Sequence, residues 1–313
     1  MEYISYRSAN GTDTIQAAVC RPPSSVQQPP KAIVQIVHGM CEHMGRYAEL
    51  MQTLAEQGFA VCGEDHLGHG RSAGKDGLGY FAPQNGWKYL VQDTRQLTIL
   101  MQGQYPDLPV FLLGHSMGSF IAREYMAEYG TALSGVLLSG TGGANPLQKP
   151  GLALVQGLKL AKGGHYRSTF VNNLAFGSFG KAIKNPRTPS DWLTRDCAEV
   201  DRYLADPLCS FIFTLSAYED LLRLTGAVSG KPWAQRVPKN LPVLLYSGDQ
   251  DPVGNFGAGV RQVYGWLTDA GVREVQIKLY PQGRHEMHNE LNRDEVYADI
   301  LQFLHQHIGQ STK

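Results

Sequence analysis

The sequence predicts an α/β fold built on a mainly parallel sheet, and three observations lead to that prediction. Short strand-like segments at 32–37, 110–113, 136–138, 243–246 and 275–280, the second of them a continuous apolar run, alternate with stretches of helical periodicity. Such runs suit strands buried on both faces, and parallel neighbours need a crossover, usually helical, between them. Several of these runs end in a polar or Gly-rich turn, as a sheet does where it builds a site at its carboxyl ends. The rhythm breaks once, at Gly140-Thr141-Gly142-Gly143, and from about 142 to 237 strand signals are few.

Taken in order, 2–6 and 15–19 read as a hairpin around Asn10-Gly11. Residues from Pro22-Pro23 to Pro29-Pro30 form a surface connection. The strand at 32–37 ends in His38-Gly39-Met40. A helix over 46–57 follows, with Leu50, Met51 and Leu54 on one face and Gly58 at its end. A strand begins at 59–62 and leads into the tight loop Asp65-His66-Leu67-Gly68-His69-Gly70. A helix over 87–101 precedes the strand at 110–113, and a second helix after Ser116 is capped by Gly130. Beyond the strand at 136–138 lies a helical insertion. It carries a helical stretch at 151–162, an apolar and aromatic stretch at 170–179 and a long helical stretch at 207–224, and it ends around Lys231-Pro232-Trp233 and Pro238-Lys239-Asn240. The core resumes with the strand at 243–246, a helix over 260–269, the strand at 275–280 and a closing helix over 293–307. The expected division is a core of 1–141 and 238–313 with a helical cap at 142–237.

Composition bounds the function. The 313 residues carry 28 basic and 28 acidic side chains, so no basic footprint for nucleic acid exists. Hydrophobic content of 42% with 18% charge fits a globular protein. No secretory pattern opens the chain and no apolar run approaches membrane-spanning length. The cysteines Cys20, Cys41, Cys62, Cys197 and Cys209 form no C-x-x-C pair. Their odd number predicts reduced thiols, small apolar fillers in a cytoplasmic protein.

The chemistry centres on Gly114-His115-Ser116-Met117-Gly118. A buried strand, G-x-S-x-G and a helix in succession make a nucleophile elbow. Small residues flank the serine because the turn is strained and the helix packs close to the strand. Gly70-Arg71-Ser72-Ala73-Gly74 also matches the pattern, but it has neither a strand before it nor a helix after it, so Ser72 is a loop residue. A serine needs a base to take its proton, and the base needs a carboxylate to orient it. Among ten histidines, His285 follows a strand and a glycine, with His288 as its rival. His285-Glu286-Met287-His288 is H-E-x-H rather than the H-E-x-x-H of a zinc site, so no metal is expected. The remaining histidines are assigned to loops or satisfied packing positions. Asp249 and Asp251 both follow the strand at 243–246. Asp251 lies deeper in the loop, before Pro252, and Asp249 suits an Asx turn. Met117 N–H at the helix start and Met40 N–H after His38-Gly39 are the candidate oxyanion donors.

Five segments together resemble the monoacylglycerol lipases and related lysophospholipases of the α/β-hydrolase fold. They are residues 37–47 (V-H-G-M-C-E-H-M-G-R-Y), 65–72 (D-H-L-G-H-G-R-S), 114–118, Gly248-Asp249-Gln250-Asp251 and Arg284-His285-Glu286. The resemblance implies a Ser116, Asp251 and His285 triad, Met40 and Met117 N–H groups as the oxyanion hole, and a cap over an acyl pocket. It implies hydrolysis of a monoacyl lipid ester without metal or organic cofactor. Glu42 and Arg46, at i and i+4, are either a local ion pair holding the oxyanion loop or an exposed pair of little worth. In the cap, Leu152, Leu154, Val155, Leu158 and Ala161 form an apolar stripe that suits packed core, with transient contact to lipid aggregates or a membrane surface as the alternative. Phe170, Phe176, Phe179, Phe211 and Phe213 are candidates for an acyl tunnel, or for cap packing.

Two rival activities share the fold: a proline-releasing aminopeptidase and a broad short-chain carboxylesterase. The first needs a carboxylate to hold the substrate's free amine, and the insertion offers Asp191, Asp196, Glu199, Asp201, Asp206, Glu219 and Asp220. A non-catalytic binding protein would be expected to lack a member of the triad, and all three are present.

Overall fold

In the computed structural model, which describes residues 1–25 and 28–309, eight strands form one sheet. Val26 and Gln27, within the expected surface connection, lie outside the described residues. Strands β1 (Glu2–Arg7) and β2 (Thr14–Cys20) make the hairpin, with Asn10 Oδ1 accepting from the N–H groups of Thr12 and Asp13. Then come β3 (Ile33–Val37), α1 (Ala48–Glu56), β4 (Ala60–Glu64), α2 (Gly86–Gln104), β5 (Val110–His115), α3 (Met117–Tyr129) and β6 (Gly135–Ser139). The order across the sheet is β1-β2-β4-β3-β5-β6, completed by β7 (Val243–Gly248) and β8 (Val275–Tyr280). Only the β1–β2 and β2–β4 pairings are antiparallel. Strands β3 to β7 are buried along their whole length, which is why their sequences are largely apolar; among the exceptions, Gln35 and Glu64 are hydrogen-bonded to Thr94.

Five helices and no strand lie between β6 and β7 among the described residues: α4 (Gln148–Lys162), α5 (Thr169–Phe176), α6 (Cys197–Ala205), α7 (Leu215–Ala227) and α8 (Lys231–Arg236). The expected stretch at 207–224 is corrected here. Thr214 caps α7, its hydroxyl accepting from Ala217 N–H, and 207–213 are loop. The unexpected α6 is opened by Asp196, whose carboxylate accepts from Ala198 and Glu199 N–H. The short α8 packs on the core: Trp233 Nε1 donates to Arg123 O at 2.7 Å, and Arg236 pairs with Glu124. After β7, α9 (Ala258–Asp269) and α10 (Arg293–His307) complete the layers.

Gly130 is the C-cap of α3, as expected, with right-handed rather than left-handed geometry. Its φ of −61° continues into a short 3₁₀ turn. A Cβ there would press on Pro238 Cδ at 2.9 Å, so close packing explains the glycine. All five cysteines are free, and all are buried except Cys197, which is exposed and so no core filler. No described helix is long and apolar enough to cross a membrane.

Candidate active site

Ser116 sits between β5 and α3 at φ 53°, ψ −119°, a conformation costly for a residue with a Cβ. The flanking glycines make the turn possible. A Cβ at Gly114 would collide with Gly118 O and Ala122, and one at Gly118 with Val37 O. The strained turn leaves Ser116 partly exposed in a cavity between the sheet and the insertion, while its neighbours His115 and Met117 are buried. Ser72 is elsewhere, its hydroxyl accepting from Gln16 N–H.

The structure brings Asp251, rather than Asp249, to His285. Asp251 is fully buried, and its Oδ2 accepts from His285 Nδ1 at 3.0 Å and from Ser247 Oγ at 2.9 Å. Its Oδ1 accepts from Val253 N–H. Asp249 instead accepts from Gln282 N–H and shapes the adjoining loop. Burial alone would push the His285 imidazole down. The charge and hydrogen bond of Asp251, with Glu286 and Glu42 behind, outweigh it and hold the ring above the usual histidine value. His285 and Ser116 line the same cavity, though no hydrogen bond joins them in this resting conformation. Bonds of this kind often tighten only with substrate bound.

His288 lies stacked on Tyr47, ring centroids 4.3 Å apart, and burial pushes it down to about 3. It is a neutral packing residue. His66 and His69 lie in a loop, as expected, but not every ring nitrogen is hydrogen-bonded. His66 Nδ1, His69 Nε2 and His288 Nε2 are buried without a hydrogen bond among the described residues, although Glu64 Oε1 lies 3.5 Å from His66 Nδ1.

Met40 and Met117 both line the cavity, and neither N–H donates to a protein acceptor among the described residues. Glu42 holds the loop that carries Met40. Its Oε1 accepts from Gly39 N–H at 2.5 Å and from Tyr47 Oη at 2.7 Å. Asp65 supports the same loop through Met44 N–H and ties it to Arg71 N–H.

Of the two readings of Glu42 and Arg46, the buried one holds. Arg46 donates to Glu42 at 2.7 Å and makes two bonds of 2.6 Å to Glu286, with side chains only 9% and 3% exposed. One guanidinium thereby joins the loop after β3 to the loop carrying His285. Burial would raise Glu286, but Arg46 holds it down at about 2. Burial and the neighbouring Glu286 raise Glu42 despite Arg46. Sequence reasoning missed Glu286 as a partner, although a charge beside the candidate base was a signal. It also missed Trp192, whose ring lies 5.1 Å from that of His285 and walls the cavity.

His43, Asp206 and Cys209 present ligand atoms within 4.8 Å of one another. Their chemistry does not suit a cation. His43 Nδ1 accepts from Gly45 N–H, so its Nε2 carries the proton given to Asp206. Burial pushes the Cys209 thiol well up, away from the thiolate a metal needs.

A family model described as "Serine aminopeptidase, S33" (Hydrolase_4) matches residues 28–292. The chain belongs to this family. This S33-family hydrolase is 31% identical over 274 residues to the monoglyceride lipase of Rattus norvegicus, covering 87% of this chain and 80% of that one. It is 30% identical over 285 residues to the monoacylglycerol lipase of Mycolicibacterium smegmatis, covering 89% and 90%. Its fold superposes on a thermostable carboxyl esterase from Bacillus coagulans in complex with glycerol, with a TM-score of 0.89, 35% identity and 98% of each chain covered.

Proposed function

We propose that this S33 hydrolase cleaves carboxylic esters of monoacyl lipids through an acyl-enzyme. The observation that carries this reading is the cavity over Ser116. It encloses about 1430 Å³ and is lined largely by apolar side chains, among them Val155, Leu174, Phe176, Phe179, Phe211 and Leu221. That volume is ample for an acyl chain. Among the described residues its only lining carboxylates are Glu42 and Glu286, both bound to Arg46. None of the insertion's acidic residues reaches it, so nothing there is placed to hold a free amine. This favours a lipid ester over an N-terminal peptide, whatever the family's descriptive title.

In this reading His285 Nε2 takes the Ser116 proton as Oγ attacks the ester carbonyl, while Asp251 holds Nδ1–H and stabilises the imidazolium. Met40 and Met117 N–H groups receive the negative oxygen. Collapse breaks the C–O bond, and the alcohol leaves with the proton from His285. A water activated by His285 then releases the fatty acid. The set needs no metal or organic cofactor. The expected cap of 142–237 on a core of 1–141 and 238–313 is kept in this reading with one adjustment. The fold supports a cap boundary nearer 228, since α8 packs on α3 and α9. Of the five phenylalanines, Phe176, Phe179 and Phe211 line the cavity. Phe170 is exposed, and Phe213 is buried in packing. The α4 stripe divides likewise: Val155 is buried, whereas Leu154 is 36% exposed at the cavity. Leu147, Leu154 and Leu174 therefore offer an apolar rim to lipid aggregates. The free thiols fit a cytoplasmic setting.

Comparing kcat/KM for a long-chain monoacylglycerol and a prolyl arylamide tests the assignment. The ester is expected to be turned over at least a hundredfold faster, roughly 2.7 kcal/mol in transition-state binding. Preference for the arylamide would overturn it.

A further inference from the structure

One buried cation has no part in the chemistry above. Arg123 lies on α3, on the helix that begins at Ser116, and is fully buried. Among the described residues it has no carboxylate partner; its guanidinium is spent on neutral oxygens. Nη1 donates to Gly142 O at 2.8 Å and to Thr141 Oγ1 at 3.4 Å, and Nη2 donates to Val228 O. Nε is buried without a partner. Aromatic rings close around it, with centroids at 4.4 Å for Trp233, 5.6 Å for Phe120 and 5.7 Å for Trp266. Burial pushes the group down to about 9. A buried charge without a counter-ion is expensive, so its interactions must offset a large desolvation cost.

The position of those oxygens is informative. Thr141 and Gly142 are where the chain leaves the sheet for the insertion. Val228 is the C-cap of α7, where the chain returns. The terminal carbonyls of a helix lack intrahelical donors and attract a cation. One planar fork therefore holds the way into the insertion and the way out. It does so from the helix that positions the candidate nucleophile. Phe120 and Gly142 also line the cavity, so Arg123 stands directly behind one of its walls.

We propose that Arg123 is a positioning residue that clasps both junctions of the insertion and fixes that wall, and so sets the preference for acyl length. This rests on reading the insertion as a cap over an acyl site. A lysine at this position keeps the charge but not the fork, and a methionine keeps the bulk without donors.

The test compares the full-length enzyme with Arg123→Lys and Arg123→Met. Readouts are kcat and KM on p-nitrophenyl butyrate and on a long-chain monoacylglycerol, with amide hydrogen exchange at 141–147 and 226–230. The expected result is butyrate kcat within about threefold of wild type and a long-chain KM raised about tenfold or more. Exchange should quicken at both junctions together, less in the lysine variant than in the methionine one. An unchanged long-to-short ratio with both junctions still protected would overturn the proposal, and so would loosening at one junction only. Should Arg123→Met fail to fold, the lysine variant decides by the same criteria. If wild type shows no chain-length preference, the cap reading fails, and paired exchange at the junctions still reports on the clasp.

Discussion

The two halves of the insertion are held in different ways. Residues 191–214 are stitched to the site. Glu286 N–H donates to Leu193 O at 2.7 Å, Arg284 donates to Asp191 O and Thr194 O, and Thr194 Oγ1 donates to Asn289 O. Arg195 pairs with the buried Glu290. Further along, Ser210 N–H donates to Cys41 O, Cys41 Sγ to Phe211 O, and His43 to Asp206. By contrast, α5 is joined to α7 by a single side-chain bond, Tyr218 Oη to Asn172 Oδ1. It leaves Phe170 and Leu174 62% and 57% exposed. Directional bonds fix the loops beside His285, whereas α5 packs through Val171 and Phe176 with that one bond to α7. The stitched half is expected to move with the core and α5 to adapt to a bound acyl group; α4 is tied to α7 through Gln148, Gln156 and Lys159.

Substitutions can break that contrast, starting with the largest effect. Ser116→Ala should lower kcat on a monoacyl ester by about six orders of magnitude with folding unchanged, by analogy with other triad serines. Asp251→Asn should lower kcat by about four orders, because the carboxylate fixes the imidazole tautomer. Asp249→Asn, measured beside it, should stay within about threefold of wild type.

Glu286→Gln should lower kcat roughly tenfold, the loss of about 1.4 kcal/mol of transition-state positioning. It should also move the pH profile. His285 must be neutral to accept a proton, so the rate climbs with pH through its raised pKa. Removing a negative charge beside the imidazolium lowers that pKa and shifts the acid limb to lower pH. An unmoved limb would mean that Glu286 acts by packing alone. The smallest effect belongs to the loosely held half. Leu174→Ser should leave the melting temperature unchanged, as exposed substitutions commonly do, while long-chain KM rises a few-fold. A comparable rise for a butyrate ester would contradict an acyl-rim role.

The legible parts of the sequence were those governed by short-range rules. Strands buried on both faces are largely apolar, and the elbow is announced by glycines that lie two residues either side of Ser116. His285 and the pair Asp249 and Asp251 stand out because they follow strand ends; the choice of Asp251 leans on its place before Pro252 and on the family resemblance. Tertiary partners were hidden. Nothing local says that Arg46 reaches Glu286, 240 residues on, or that Arg123 holds Gly142 and Val228. The insertion was read least well because its loops answer to distant groups. Residues 207–213 precede a helical pattern, yet Ser210 and Phe211 are bonded to Cys41 in the loop after β3, and Thr214 starts the helix late. The missed α6 did carry a signal, Asp196 followed three residues later by Glu199, the pattern of a capping box.

The central claim is that one hydroxyl, at 116, is activated by His285 and Asp251. Treating the protein with an alkyl fluorophosphonate and mapping the adduct by peptide mass spectrometry tests it most directly. The account predicts a single adduct on Ser116, formed at least a thousandfold more slowly in His285→Ala, on the order of 4 kcal/mol of lost activation. An adduct on another residue, or equally fast labelling without the imidazole, would contradict it.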